Sequence, residues 1–205
     1  MVTIHTGNCP TQCRLALRPM FEDRKRLFVD LLGWQVPVVA GDYEIDRFDD
    51  NRAIYLVDSD ESDPHLGSMR LLPTEHPHIL DTLFPGLCDG FVPRGPAIYE
   101  ITRLCLPTRL GATRRLEVRN RLISAMVDHA LASGIETLTG VVELNFLNQI
   151  LDMGWNCRPL GSPQRSDGRL LAAFRIDLDA DTRAQLEATG IYVADGLAAT
   201  FAAAA

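Results

Sequence analysis

Lysine is almost missing from this chain. Among its 205 residues Lys25 stands alone against nineteen arginines. Such a ratio follows genomic base composition, so the arginine count by itself carries no functional weight. Long apolar runs are missing too. No segment approaches the roughly eighteen apolar residues that read as a membrane-span candidate. The first residues, MVTIHTGNCPTQC, lack a basic stretch followed by an apolar one. No signal peptide is expected, and hence a cytoplasmic protein. Paired cysteine spacings are absent as well. Cys9, Cys13, Cys88, Cys105 and Cys157 include no Cys-x-x-Cys, and Cys9 and Cys13 have no matching pair downstream. Free thiols in a reducing compartment are expected, with no zinc or disulfide framework. His76 and His78 flank Pro77, which suggests a surface loop rather than a metal site. Excess positive charge is also lacking. The formal net charge is −7, which argues against general nucleic-acid binding.

What is present fits one soluble domain over residues 1–205. The apolar fraction is 46% and the charged fraction 23%, both ordinary for a globular chain. No internal repeat occurs. The tail, ADGLAATFAAAA, is of low complexity, and 180–205 is expected to be partly helical. PMFEDRKRLFVDLLGW reads as a helix, with Pro19 in its first turn and Gly33 as its stop. AIYLVD (53–58) and LGSMRLLP (66–73) read as two strands of a hairpin joined by an acidic loop. HILDTLF (78–84) suits a short helix and AIYEITRLCL (97–106) a strand. The segment from Thr113 to Gly134 reads as a long helix, with Leu116, Ile123, Met126, Val127, Ala130 and Leu131 on one face. IETLTGVV is a strand, ELNFLNQILDMG a helix, and WNCRPL with RLLAAFRIDL a last strand pair. This order gives a mixed α/β domain with helices flanking a central mixed sheet. The same order occurs in the GNAT-like acyltransferase fold, a match of fold and not of function.

Within that frame, Arg70 is out of place. It sits in an apolar strand, and its guanidinium cannot shed its charge. Burying it is costly unless carboxylates or a ligand pair with it. Glu44, Asp46 and Asp49 in YEIDRFDD supply acids just before a strand. Arg24 lies on the first helix. Glu100 and Arg103 lie inside the strand IYEITRLCL, where regular alternation would point them to opposite faces. For both to serve one site, a bulge or splay is predicted between them. On charge spacing alone, a satisfied ion-pair network that fixes loops is the favoured account of these charges.

Several spaced motifs now act together. Arg24-x3-Phe28-x5-Trp34, then EIDRFDD, GSMRLLPT, LFP and YEITR, in order over the first half of the chain, resemble the acyl-homoserine-lactone synthases, the bacterial autoinducer synthases. The second half resembles them more loosely, through its helix–strand–helix pattern and the MGW turn. Position by position, the resemblance implies functional roles for Arg24, Phe28, Trp34, Asp46, Asp49, Arg70 and Phe84 in substrate binding, and for Glu100 and Arg103 in catalysis. It implies that S-adenosylmethionine is acylated on its α-amine by an acyl thioester, and that lactonisation releases methylthioadenosine. The usual donor is an acylated acyl carrier protein, and some relatives use acyl-coenzyme A. No cofactor is implied, since S-adenosylmethionine is itself a substrate. The residue types suit that substrate. Acids meet its cationic groups, an arginine fork its carboxylate, and the faces of Phe28 and Trp34 its sulfonium. Glu100 is the candidate general base, directly or through water.

A basic strip follows the catalytic strand. Arg109, Arg114, Arg115, Arg119 and Arg121 are expected to dock an acidic carrier protein by steering. The stretch PTRLGATRR has Gly111 and Ala112 but not the fuller glycine-rich pattern that cradles coenzyme A in GNAT-type acetyltransferases. Met126, Val142, Phe146, Leu147 and Ile150 are candidates for an acyl pocket, though each also suits plain core. Several family members that make 3-oxo products carry a threonine before the second helix, where this chain has Val142 or Glu143. That leans away from a 3-oxo acyl group. Two other readings stay open: a coenzyme A-dependent N-acyltransferase, and an inactive ligand sensor.

Overall fold

The computed structural model describes residues 1–8 and 15–194. Cys9, Cys13 and the tail beyond Ala194 lie outside the described residues. The chain clusters into two compact units. One is built mainly from Met1–Arg70 and Arg103–Ala125, the other from Leu71–Thr102 and Met126–Val193.

In the first unit, α1 (Arg18–Arg24) starts with Pro19, where a missing N–H costs nothing. The sequence suggested one regular helix to Trp34. Instead α1 widens into a π-helical segment over Lys25–Leu31. The Leu32 N–H reaches Leu27 O at 3.0 Å, and the Trp34 N–H reaches Phe28 O at 2.7 Å. Gly33 ends the segment at φ 65°, a left-handed conformation that glycine adopts without steric cost. A small hairpin follows, β2 (Val38–Val39) and β3 (Tyr43–Glu44), which periodicity did not reveal because each strand has only two residues. Positive φ at Ala40 and Gly41 turns it.

The sheet of this unit starts with β1 (Val2–Thr6), antiparallel to β4 (Ile54–Asp58) in the register Val2↔Asp58. β4 neighbours β5 (Gly67–Pro73), and β5 neighbours β6 (Ile98–Cys105). The two predicted hairpin strands are thus neighbours. Behind them packs α3 (Ala112–Ala132), with Val118 and Leu122 fully buried. The approach is close at Gly67, where a Cβ would meet the Val118 side chain at 2.5 Å.

β5 and β6 both pass from one unit into the other. In the second unit, β6 runs parallel to β7 (Thr137–Glu143), from Ile98↔Thr137 to Ile101↔Gly140. β7 is antiparallel to β10 (Arg169–Asp177), which also pairs with β8 (Asn156–Pro159) and β9 (Gln164–Ser166). The sheet is therefore mixed, as expected. Helices α2 (Ile79–Leu83), α4 (Leu144–Leu151) and α5 (Thr182–Ala188) accompany it. The helix at 182–188 falls within the segment expected to be partly helical. Among the described residues no helix is long and apolar enough to cross a membrane.

Candidate active site

The acids Glu44, Asp46 and Asp49 and the arginines Arg24, Arg70 and Arg103 come together in the first unit as a closed ring of alternating charge. Glu44 receives Arg24 Nε at 2.6 Å and Arg103 Nη2 at 3.0 Å. Asp46 receives Arg103 Nη2 at 2.7 Å and both terminal nitrogens of Arg70, at 2.7 and 3.0 Å. Asp49 receives Arg70 Nη1 at 2.7 Å and the fork of Arg24 at 2.8 and 2.9 Å. Each carboxylate bridges two guanidiniums, so three positive and three negative charges balance. This explains the arginine in an apolar strand: β5 carries Arg70 into a nest of two carboxylates, where it is 1% exposed. Burial opposes its charge, yet Asp49 and Asp46 hold the guanidinium well above its usual range. Burial likewise opposes the charge of Asp49, but Arg24 and Arg70 keep it well below the usual carboxylate range.

Local backbone holds the acids in place. The Phe48 N–H donates to Asp46 Oδ1 and the Asp46 N–H to Asp49 Oδ2, each at 2.8 Å. The sequence reading missed Tyr55, whose hydroxyl donates to Asp49 Oδ1 at 3.0 Å. Burial, and then the charge of Asp49, push this phenol far above its usual range, so it remains a neutral donor. A tyrosine in the otherwise aliphatic run of β4 was the available signal.

Where a bulge or splay was predicted, the backbone departs from strand geometry at Arg103, whose φ is 53°. A non-glycine residue in that region is uncommon. Its guanidinium lies 5.6 Å from the Phe28 ring centre and 5.8 Å from that of Trp34. The two rings stack 4.6 Å apart at 18°. The aromatic faces expected to hold a sulfonium thus face the Arg103 cation.

Glu100 belongs to the second unit and is fully buried. Its oxygens accept the N–H groups of Ile79 at 2.7 Å and Leu80 at 2.8 Å. A carboxylate at the start of α2 satisfies donors that a helix leaves unpaired. Its observed work is therefore to anchor α2. Phe84, in the same unit, packs against Leu80, Leu87 and Ala173 beside Val141 and Leu171. Met126, Leu147 and Ile150 are buried core, while Val142 and Phe146 are half-buried. His76 is exposed in a turn-rich loop, as expected, and His78 alone departs from the surface-loop reading. It is fully buried, and its Nδ1 lies 2.9 Å from the His76 carbonyl, because it leads directly into α2. Among the described residues no cluster of three or more metal-ligating side chains forms. Cys88, Cys105 and Cys157 are free.

The basic strip is largely paired within the chain. Arg109 Nη2 meets Asp63 at 3.0 Å, Arg114 Nη2 meets Asp60 at 3.2 Å, and Arg121 Nη2 meets Asp58 at 2.6 Å. The end of β4 and the acidic β4–β5 loop are the partners that composition alone left unassigned. Arg119 bonds the neutral Asn120 side chain, and among the described residues Arg115 forms no ion pair.

The sequence model of the family described as Autoinducer synthase matches residues 11–186. The acyl-homoserine-lactone synthase of Ralstonia nicotianae is 32% identical over 180 residues, 84% of this chain and 87% of that protein. That of Rhizobium etli is 33% identical over 191 residues, 92% of this chain and 89% of that protein. Among solved structures, TofI in a ternary complex with an inhibitor and MTA superposes with a TM-score of 0.77 at 28% identity, over 91% of this chain and 96% of that one. MesI, a CoA-dependent acyl-homoserine lactone synthase, gives 0.83 at 26%, over 97% and 99%. An N-acetyltransferase from Lactobacillus plantarum gives 0.59 at 17% identity, over 87% and 99%, a likeness of fold alone.

Proposed function

From the premise that the chain belongs to the autoinducer synthase family, whose named members are acyltransferases, we propose that it acylates the α-amine of S-adenosylmethionine from an acyl thioester. The new amide forms as the thioester C–S bond breaks. The substrate carboxylate then attacks its own γ-carbon, and methylthioadenosine leaves as the sulfonium C–S bond breaks. Both bonds of the lactone step lie in one molecule, so positioning supplies most of the rate.

The observation that carries this reading is the closed charge ring. Arg24, Asp49 and Arg70 form its interior. Asp46 and Arg103, with side chains 7% and 9% exposed, are its more accessible lip. Arg103 there suits the substrate carboxylate and Asp46 its amine, with Trp34 and Phe28 walling the cationic group. An α-amine has a pKa of roughly 7.7–8.0, so its deprotonation needs little help. Glu100 is the general base we propose for that proton, directly or through water. Phe84 then belongs with Val142 and Phe146 on the acyl side. No cofactor enters this scheme.

The donor we propose is an acylated acyl carrier protein, docking on Arg115 and Arg119, which the acidic loop leaves uncommitted. A coenzyme A thioester is the second reading, favoured by the likeness to MesI. Purified protein incubated with S-adenosylmethionine and a panel of both donor types should yield methylthioadenosine and a lactone, read by mass spectrometry. Folded protein that binds S-adenosylmethionine yet forms neither product would overturn the synthase reading in favour of a sensor. Acyl transfer without methylthioadenosine would favour a plain N-acyltransferase.

A further inference from the structure

Beside the charge ring, the first unit holds a second buried polar chain. Asp23, His65 and Ser68 are 3%, 0% and 1% exposed. His65 Nδ1 lies 2.6 Å from Asp23 Oδ2, and His65 Nε2 lies 3.0 Å from Ser68 Oγ. The order carboxylate, imidazole, hydroxyl is that of a hydrolytic triad. Here it cannot serve as one. Ser68 is buried near the start of β5, so no reacting carbonyl can reach its oxygen. Arg109 also closes over the acid end: its Nη1 meets both Asp23 oxygens at 2.8 Å, and its Nη2 meets the His65 carbonyl at 2.6 Å. Arg26 adds a bond to Asp23 Oδ1 at 2.9 Å.

The position of this chain gives it a role. Asp23 immediately precedes Arg24 on α1. Ser68 stands two residues before Arg70 on β5, so the two share one face of the strand. The Arg24–Asp49–Arg70 bridge and the Asp23–His65–Ser68 bridge therefore join the same helix to the same strand. Along β5 their anchor points are about 6.6 Å apart, at roughly 3.3 Å per residue. One bridge fixes a distance but leaves rotation about itself. Two bridges also fix the alignment of α1 against β5.

We propose that His65 is a positioning residue for the S-adenosylmethionine site, a claim that rests on the reaction proposed above. Its imidazole sets the register in which Arg24 and Arg70 both reach Asp49. An imidazole suits this work in either protonation state. Neutral, it donates from Nδ1 to Asp23 and accepts the Ser68 O–H at Nε2; protonated, it donates from both nitrogens.

The test replaces His65 with Asn, which keeps a donor near Asp23 and loses Ser68, and with Gln, which does the reverse. The Gln variant should raise the KM for S-adenosylmethionine about tenfold, the scale of one charge-assisted hydrogen bond, and the Asn variant severalfold, the scale of a neutral one; both should leave the KM for the acyl donor unchanged. Ser68→Ala is the milder variant should either fail to fold, with a smaller rise in the same constant. A lower melting temperature with both Michaelis constants at wild-type values would overturn the proposal and leave His65 a purely structural residue. Binding of S-adenosylmethionine by calorimetry separates the two claims. A wild type that binds but forms no lactone defeats the reaction, while the ratio of its Kd to that of each His65 variant still decides the positioning role.

Discussion

Arg70 commits its guanidinium to Asp46 and Asp49 and keeps almost none of it in water. Lysine at this position has one compact ammonium in place of a planar fork and cannot bridge both acids in the same way. Arg70→Lys should lower lactone formation at least tenfold while circular dichroism shows the fold retained; wild-type turnover would show that the ring is dispensable. Asp23 offers a pH signature. Burial opposes its charge, yet the bonds from His65 and Arg109 hold its carboxyl down to about 2. Its unfolded value is near 3.9. The unfolded chain therefore binds more protons in that interval. The stability Asp23 contributes is complete above about pH 5 and is lost as pH falls toward 2. Asp23→Asn should flatten the fall in denaturation midpoint between pH 5 and 3, and an unchanged slope would remove Asp23 from the acid response. Arg70 was legible because its neighbours are apolar, and the acids able to pair with it were visible in YEIDRFDD. The pairing of Asp23 with His65 was not. The two are forty-two residues apart, and neither sits in a pattern that marks it.

At the scale of elements, the long periodic segments were readable and the short ones were not. The core stripe of α3 and the apolar runs of β4, β5, β6 and β10 repeat over enough residues to show a period. The two-residue strands β2 and β3 cannot. Nor does a hydrophobic pattern of period 3.6 reveal a widening to π geometry at Lys25, since Phe28 and Leu31 fit either. A bulge or splay between Glu100 and Arg103 was inferred from a conflict between alternation and charge, and a positive φ stands at Arg103. Glu100 was read by its chemistry, whereas its place at the start of α2 follows from a fold contact twenty residues away. That contact is testable. Glu100→Gln keeps the shape but turns one oxygen into an amide NH2 that donates and cannot accept. The Ile79 or Leu80 amide then loses its partner. Hydrogen exchange at these two amides should quicken about tenfold, the effect of losing roughly 1.4 kcal/mol of local protection. Unchanged protection would mean that α2 is held by its apolar contacts, Leu80 and Phe84 among them, rather than by the carboxylate.

Across the whole molecule, charge is the property that composition described least well. A net charge of −7 conceals a strip of arginines, and the strip in turn is covered by the acidic loop of the same chain. The three pairings differ in strength. Asp58 is fully buried and also holds the chain's amino terminus at 2.8 Å, so its bond to Arg121 is part of the fold. Arg114 and Asp60 have side chains 43% and 37% exposed. A surface pair of that kind contributes little and weakens with salt. An acidic carrier protein can therefore compete with the loop for Arg114 while Arg115 receives it directly. Two substitutions should then act in opposite directions. Arg115→Glu should raise the apparent KM for acylated carrier protein severalfold. Asp60→Asn should lower it, because it releases Arg114 Nη2 from the loop and leaves Glu117, at 3.0 Å from Nη1, as the remaining partner, while its Oδ1 still accepts the Ser62 and Asp63 amides that shape the loop. Neither should move the KM for S-adenosylmethionine, and raising salt from about 50 to 300 mM should shrink both effects by screening. If both variants leave the carrier constant at the wild-type value, the strip is only a brace for the acidic loop. The donor then docks elsewhere, or is coenzyme A.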